Sequence, residues 1–576
     1  MNQNRVFLLV IWLALAFALW STWQNDYNKA EPAAAAVAAG TAGKTATTAD
    51  TSVPAIPADG GREDVPSSDN LPGAPAPTAD SQPVATATAS ASARGISVTT
   101  DLLHVELSAN GGSVRRVELL CYPQTTEAGS PPVEILDDRG EHLFIAQSGL
   151  INSAGNAPSH QASFTTDSDS YALAAGSDTL EVPFTFHGAD GLVVRKTYVF
   201  ERGSYQIRVR DDITNGTSTN WQGNAYRQLQ RIPPPKPAGG WMTSPAAFSY
   251  TGGAWYSPED KFNKLDYGEF ASEPAKNDIS GGWVALVQHY FLAAWIPDAK
   301  GGNQFSSSAQ KNGRYMMRAI GPRLAAAPGE TVSSEASLYV GPKLQDQLDQ
   351  VAPGMELTVD YGIFTVISQP LFWLLSLLHD LLGNWGWAII GVVVLLKLAF
   401  YWLSAKQFES MAKMRRVQPR LQALKERYGD DRQKLNQAMM ELYKKEKINP
   451  ASGCLPILVQ IPVFIALYWV LVESVELRHA PWIGWIQDLT AKDPYFVLPA
   501  LYIIIMFVTQ RISPTPGMDP MQRRMMQAMP IMFGFLFAFF PAGLVLYWVT
   551  NGALSLLQQY INMKRHGGFD DAKHKT

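Results

Sequence analysis

The feature that most constrains this chain is the placement of its apolar runs. They fall at residues 5–24 and then, after a long gap, at 358–380, 385–403, 455–473, 495–511, 525–540 and 544–562. Segments of this length and apolarity persist in lipid only as helices that satisfy their own backbone hydrogen bonds. The stretch between the first run and the rest reads as a water-soluble protein. A chain of 576 residues divided in this way predicts a multi-domain membrane protein with a large soluble insert. Its net charge of −4 says little about partners, because the charge is unevenly distributed.

Residues 5–24 follow a short basic start and end in an interfacial Trp23, which favours an uncleaved transmembrane anchor over a cleaved signal peptide. Residues 25–94 are dominated by Ala, Pro, Thr, Ser and Gly, too poor in large apolar groups to offset the entropy of ordering, and read as a flexible linker. Within them "GTAGKT" (40–45) carries Ala38 where a phosphate-binding loop needs its first glycine, and no strand precedes it, so nucleotide binding is excluded there. From 95 to 345 short alternating segments are separated by Gly, Asn and Asp turns. "YVFERGSYQIRVR" is a hairpin centred on Gly203, and the whole stretch predicts a β-sandwich. His187 and His289 are isolated in it and read as structural; no catalytic set, metal cluster or cofactor site is evident. The two cysteines, Cys121 and Cys454, are placed in different compartments by the topology below, so no disulfide joins them.

Orientation follows from residues 404–453, which carry twelve Lys or Arg against six Asp or Glu and are therefore expected on the cytoplasmic side. Two helices are expected there, one through "QPRLQALKERYG" with Pro419 at its start and one from Asp431 to about Lys447, forming a basic helical hairpin. If the anchor places the β domain outside, only one of the two preceding runs can cross. Pro370, Thr365, Ser368 and Gln369 mark 358–380 as an amphipathic helix lying on the outer surface. The expected total is six transmembrane helices: the anchor plus a five-helix core at 385–403, 455–473, 495–511, 525–540 and 544–562. Both termini, including the 563–576 tail, are expected in the cytoplasm. A helix over 526–540 would rise only roughly 22 Å against a hydrocarbon core of ~30 Å, favouring a locally thinned bilayer.

One full charge sits inside this core. Lys397 interrupts "GVVVLLKLAFYW", and a charge at the bilayer centre costs about 2.5–3.5 kcal/mol even on insertion scales. Snorkelling to the cytoplasmic interface and facing a wet interior both account for it at this point. Gln460 interrupts "LPILVQIPVF", and Asn551 interrupts "LYWVTNGAL" with Ser555 and Gln558 following at helical spacing. Interhelical hydrogen bonding explains each singly, and a shared hydrophilic cavity explains them together. Tyr547 and Trp548 lie near the outer turn "FPAG", where an aromatic belt would also place them.

The motifs "SAKQFESMAKMRRVQPRLQALKERYGDDRQKLNQ", "CLPILVQIPVFIALYWVL", "DPMQRRMMQAMPIMFGFLFAFFPAGLVLYWVTN" and, in the soluble part, "VQHYFLAAWIP" resemble the YidC/Oxa/Alb family of membrane protein insertases in its Gram-negative form. The resemblance covers the whole architecture. It implies an inner-membrane protein with a periplasmic β-supersandwich, a mobile cytoplasmic hairpin, and five helices around a hydrophilic groove. It further implies insertion and folding of nascent membrane proteins, alone or beside the Sec translocon, with membrane lipids and a ribosome or targeting factor as further partners, and no covalent catalysis, nucleotide or cofactor. Aligned through "FYWLSAKQ", the groove's positive position is Lys397, where relatives commonly carry arginine. Gln460 and Tyr547 match further groove positions, Trp548 stands where an aromatic is expected, and Val393 stands where some relatives are polar; Asn551 joins the candidate groove set from its place in the span. Lysine keeps the charge but lacks the planar five-donor fork of arginine. Two other classes leave signatures of their own. A small-solute transporter should show internal symmetry and broken helices, and a membrane-tethered carbohydrate-active enzyme needs a convergent acid and base in the β domain; neither signal is present.

Overall fold

The computed structural model describes residues 65–66, 95–235, 249–310, 312–429, 431–446, 455–512 and 520–565. The expected anchor at 5–24, nearly all of the 25–94 linker and the tail from 566 lie outside the described residues. Two compact units emerge, one containing residues 413–450 and the other the β domain with the remaining helices.

Alternation builds the β domain. In Gly95–Thr99 the side chains of Ile96 and Val98 are buried while their neighbours are not, and Leu103, Val105 and Leu107 repeat the pattern in the next strand. The larger sheet runs, edge to edge, through Lys276–Ile279, Asn303–Ala309, Tyr315–Ala326, Trp221–Arg231, Phe144–Ile151, Val114–Pro123, Leu103–Ser108, Gly95–Thr99 and Ser170–Ala172, with Pro132–Leu136 added to Val114–Pro123. The smaller runs through Lys261–Leu265, Gly252–Ser257, Trp283–Val287, Phe291–Pro297, Thr331–Pro342, Gln206–Asn215, Leu192–Glu201 and Thr179–His187. The hairpin expected at Gly203 forms, with Leu192–Glu201 antiparallel to Gln206–Asn215 and Gly203 in the left-handed region that a tight turn requires.

Polar groups also cross between the sheets. Asp211 of the smaller sheet pairs with Arg227 of the larger at 2.6 Å, both buried. The Lys196 ammonium donates to the Gly111 carbonyl at 2.6 Å and to the Ser148 hydroxyl at 2.9 Å, and burial pushes its pKa down to about 8. Trp295 Nε1–H donates to the Gln228 carbonyl at 3.0 Å. Each buried charge thus has partners on the opposite layer, which fixes the sheets' relative register where apolar contact alone would let them slide.

After the short helix α1 (Gln345–Val351) come α2 (Thr365–Leu382), α3 (Trp385–Ala399), α4 (Tyr401–Tyr428), α5 (Arg432–Lys445), α6 (Leu455–Glu473), α7 (Val497–Ile512), α8 (Pro520–Phe537) and α9 (Ala542–Arg565). Gly383, with φ of 67°, ends α2 by donating to the His379 carbonyl, and the Asn384 side chain caps α3 by accepting from the Trp387 N–H. The hairpin differs from expectation in one respect: α4 runs from Tyr401 straight through Pro419, which withdraws a single backbone bond in the helix interior rather than starting a new helix. Its second helix is capped by Asp431, whose side chain accepts from the Lys434 N–H, and Arg420 pairs with Glu446 at 2.6 Å.

Among the described residues, one helical stretch, Gly362–Leu382, is by length and composition long and apolar enough to cross a membrane, and Trp385–Ala399, Gln460–Glu473 and Val497–Ile512 are shorter apolar helices. α9 packs on α3 and α7, α2 on α3 and α6, and α7 on α8. α8 begins at Pro520 rather than near 525, because "MQRR" continues the helix as a polar turn, and ends at Phe537 rather than 540; its 18 residues rise about 27 Å, of which the part from Met525 is about 20 Å. Gly534 sets the α7–α8 spacing, since a Cβ there would stand 2.1 Å from Ile503 Cγ1.

Candidate substrate groove

Lys397 lies in the last turn of α3, and its side chain reaches across to α9. Its Nζ donates to Ser555 Oγ at 2.7 Å, and that hydroxyl donates in turn to the Asn551 carbonyl at 2.7 Å. Ser555 is therefore both acceptor and donor, a relay between a cation and a backbone dipole. It occupies one of the three donors the ammonium carries. The lysine and the serine are both half-buried, so the charge is held beside a neighbouring helix within the bundle.

Helical spacing on α9 collects the other candidates. Tyr547 and Asn551 are one turn apart, 2% and 8% exposed, and Trp548 and Ser555 sit beside them. The Gln460 side chain of α6 faces the Tyr547 hydroxyl. Trp548 is packed by aromatic rings from three helices: Phe464 at 4.6 Å, Phe537 at 5.6 Å and Tyr502 at 6.2 Å between centroids. Its indole Nε1 is buried without a protein acceptor, a donor held ready in an otherwise apolar cluster. Two groups result: Lys397 with Ser555 and Asn551, and Gln460 with Tyr547 and Trp548. Val393 is buried on α3, leaving Lys397 as that helix's polar contribution to the candidate set.

A second polar set lies where the β domain meets the end of α6; of its members only His289 is named in the sequence reading, as an isolated residue, and here it has partners. Glu473 and Lys343 are each 1% exposed, with Nζ 3.7 Å from Oε2. Ser249 Oγ donates to Glu473 Oε2 at 3.1 Å, and His289 Nε2 donates to the Val472 carbonyl at 2.9 Å. Gln345 donates its backbone N–H to Glu476 Oε1 at 3.2 Å, and Arg478 donates to the Gln124 carbonyl at 3.1 Å. Burial holds His289 down to about 3 and pushes Glu476 up to about 7. The signal available beforehand was a carboxylate ending an apolar run, "IALYWVLVE", which by itself is unexceptional.

The profile of the YidC periplasmic domain matches residues 95–374, and that of the 60Kd inner membrane protein matches residues 377–568. Over 576 aligned residues the chain is 46% identical to the membrane protein insertase YidC of Stenotrophomonas maltophilia strain K279a, covering 99% of this chain and 97% of that one. The chain belongs to the YidC family of membrane protein insertases. A second YidC, from Xanthomonas campestris pv. campestris strain 8004, is 47% identical over 98% of both chains. A solved structure of an active YidC insertase with its first transmembrane domain resolved aligns at 18% identity and a TM-score of 0.38, covering 82% of this chain and 93% of the other. The YidC assignment makes this a non-enzymatic inner-membrane protein with a periplasmic β-sandwich and a helical C-terminal region.

Proposed function

We propose that the chain inserts and folds nascent membrane proteins by receiving the polar leading part of a substrate beside Lys397 while its apolar part moves along α6 and α8 into lipid. The observation that carries this reading is the Lys397–Ser555–Asn551 relay. A snorkelling lysine directs its ammonium to water at a helix end; this one is bonded to a side chain of the neighbouring helix. Held there, a mobile point charge attracts acidic groups of an entering segment and offers donors to its unpaired backbone carbonyls. Burial of the substrate's ~20 apolar residues supplies the driving force, so no nucleotide is consumed.

In this reading the 5–24 anchor and five core helices cross the membrane, 358–380 lies on the outer face, and both termini and the basic hairpin face the cytoplasm. The hairpin's charge supports docking of a ribosome or targeting factor, or of lipid headgroups. The Sec translocon is proposed as a partner for larger substrates. Neither a solute transporter nor a carbohydrate-active enzyme draws support from any of the residues brought together.

The test is complementation in cells depleted of their own insertase. Lys397→Arg is expected to insert a single-span substrate with an acidic leading tail at close to the wild-type rate, and Lys397→Ala to reduce it about tenfold, the effect of about 1.4 kcal/mol. Full activity of Lys397→Ala at wild-type expression would refute the proposed role of the charge.

A further inference from the structure

The segment 481–496, between α6 and α7, buries Ile486 and Leu489 but exposes four large apolar side chains while keeping its acids inward. Ile483, Trp485, Tyr495 and Phe496 are exposed, Tyr495 to 70%. Asp493 is 2% exposed: Oδ1 accepts from Trp485 Nε1 at 3.0 Å and from the Tyr495 N–H at 3.1 Å, and Oδ2 accepts from the Leu498 N–H at 2.7 Å. One carboxylate thus opens α7 and aims two aromatic residues. Asp488 is half-buried and bound to the N–H and hydroxyl of Thr490. Phe496 is held at φ of 54°, a conformation bulky residues rarely adopt, and is 48% exposed. Of the charged residues in this segment, Lys492 alone is exposed.

The base of the segment is tied to the head of α9: Ala542 and Gly543 donate their N–H groups to the carbonyls of Ala491 and Leu489 at 2.7 and 2.9 Å. Further exposed apolar side chains follow along α7 at Leu501, Ile504 and Val508. Water does not favour a patch of this composition, and a protein partner reading it by charge would find one lysine. A phospholipid interface fits on each count. Trp and Tyr partition to the headgroup level, a lysine reaches phosphate, and no exposed carboxylate meets the lipid anions.

We propose that Ile483, Trp485, Tyr495 and Phe496 form a wedge seated among the headgroups of the outer leaflet, with Asp493 as the residue that holds the wedge in shape. This rests on the reading above that α7 crosses the membrane with its N-terminal end outermost. The wedge fixes the depth of the α7 start and of the head of α9 together, because Asp493 bonds the first and the carbonyls of Leu489 and Ala491 bond the second.

The test uses the full chain with Cys121 and Cys454 replaced by serine, reconstituted in vesicles of phosphatidylethanolamine and phosphatidylglycerol. A nitroxide is attached at Tyr495→Cys, Phe496→Cys or, as an exposed polar control, Gln487→Cys. Power saturation is expected to show oxygen reaching positions 495 and 496 better than a water-soluble nickel chelate, with the order reversed at 487. Adding Asp493→Ala should raise nickel access at 495 and 496 severalfold. Nickel access at 495 and 496 equal to that at 487 in the chain retaining Asp493, or shielding from both reagents as a protein cover would give, overturns the proposal. Labelling of Gln487→Cys by an impermeant maleimide in spheroplasts checks orientation separately: failure there overturns the underlying topology, whatever the depth measurement shows.

Discussion

At Ser555 a single hydroxyl decides where a charge points. Without it the Lys397 ammonium loses its acceptor on α9 and the stem is free to swing toward the cytoplasmic interface. Ser555→Ala is therefore expected to lower insertion of acidic-tailed substrates severalfold, between wild type and Lys397→Ala, and to have no further effect once Lys397 is alanine; a double-mutant cycle in the depletion strain measures this. Two junction residues titrate with opposite sense. His289 is held at about 3 against 6.5 when unfolded, so between those values the unfolded chain binds the extra proton and stability falls as pH drops. Glu476 is raised to about 7 from 4.5, so its contribution is intact below 4.5 and lost as pH rises through 7. Thermal midpoints in detergent should accordingly show Glu476→Gln more stable than wild type at pH 8 and equal to it at pH 4, since glutamine keeps an acceptor for the Gln345 N–H without the buried charge.

Among the elements, the α7–α8 pair depends on one missing side chain. Gly534→Leu would drive its Cβ into Ile503, and the two helices must separate or slide; a loss of about 1–3 kcal/mol is expected. Pairing it with Ile503→Ala should recover most of the thermal midpoint. The elements also show what a sequence discloses. Lys397, Asn551 and Ser555 were legible because a polar residue stands out against an apolar period, and the sandwich because alternation of Ile96, Val98, Leu103 and Val105 has one structural meaning. The Lys397–Ser555 bond itself was not, nor was Lys343–Glu473, because partners 158 and 130 residues apart leave no local trace. Helix bounds missed where local signals compete with continuation: Pro419 reads as a start but is carried inside α4, and the basic turn at the head of α8 reads as loop although nothing in it opposes helix.

For the whole molecule, orientation and domain seating are the testable properties. Cys121 is exposed on the β domain, so an impermeant maleimide should label it in spheroplasts and fail to do so in Cys121→Ser. Seating depends on the buried pair at the end of α6. Lys343→Ala leaves Glu473 uncompensated and is expected to cost about 3–5 kcal/mol, whereas the double replacement Lys343→Met with Glu473→Leu should be close to neutral; thermal unfolding of the three chains decides. The same pair sets terms for anyone shortening this insertase. Excising residues 95–344 would take away Ser249, His289 and Lys343 at one stroke and present the Glu473 carboxylate at an outer face whose loop otherwise keeps its acids turned inward. A minimal version should therefore carry glutamine or leucine at 473, so that no carboxylate is left without the partners the β domain supplied.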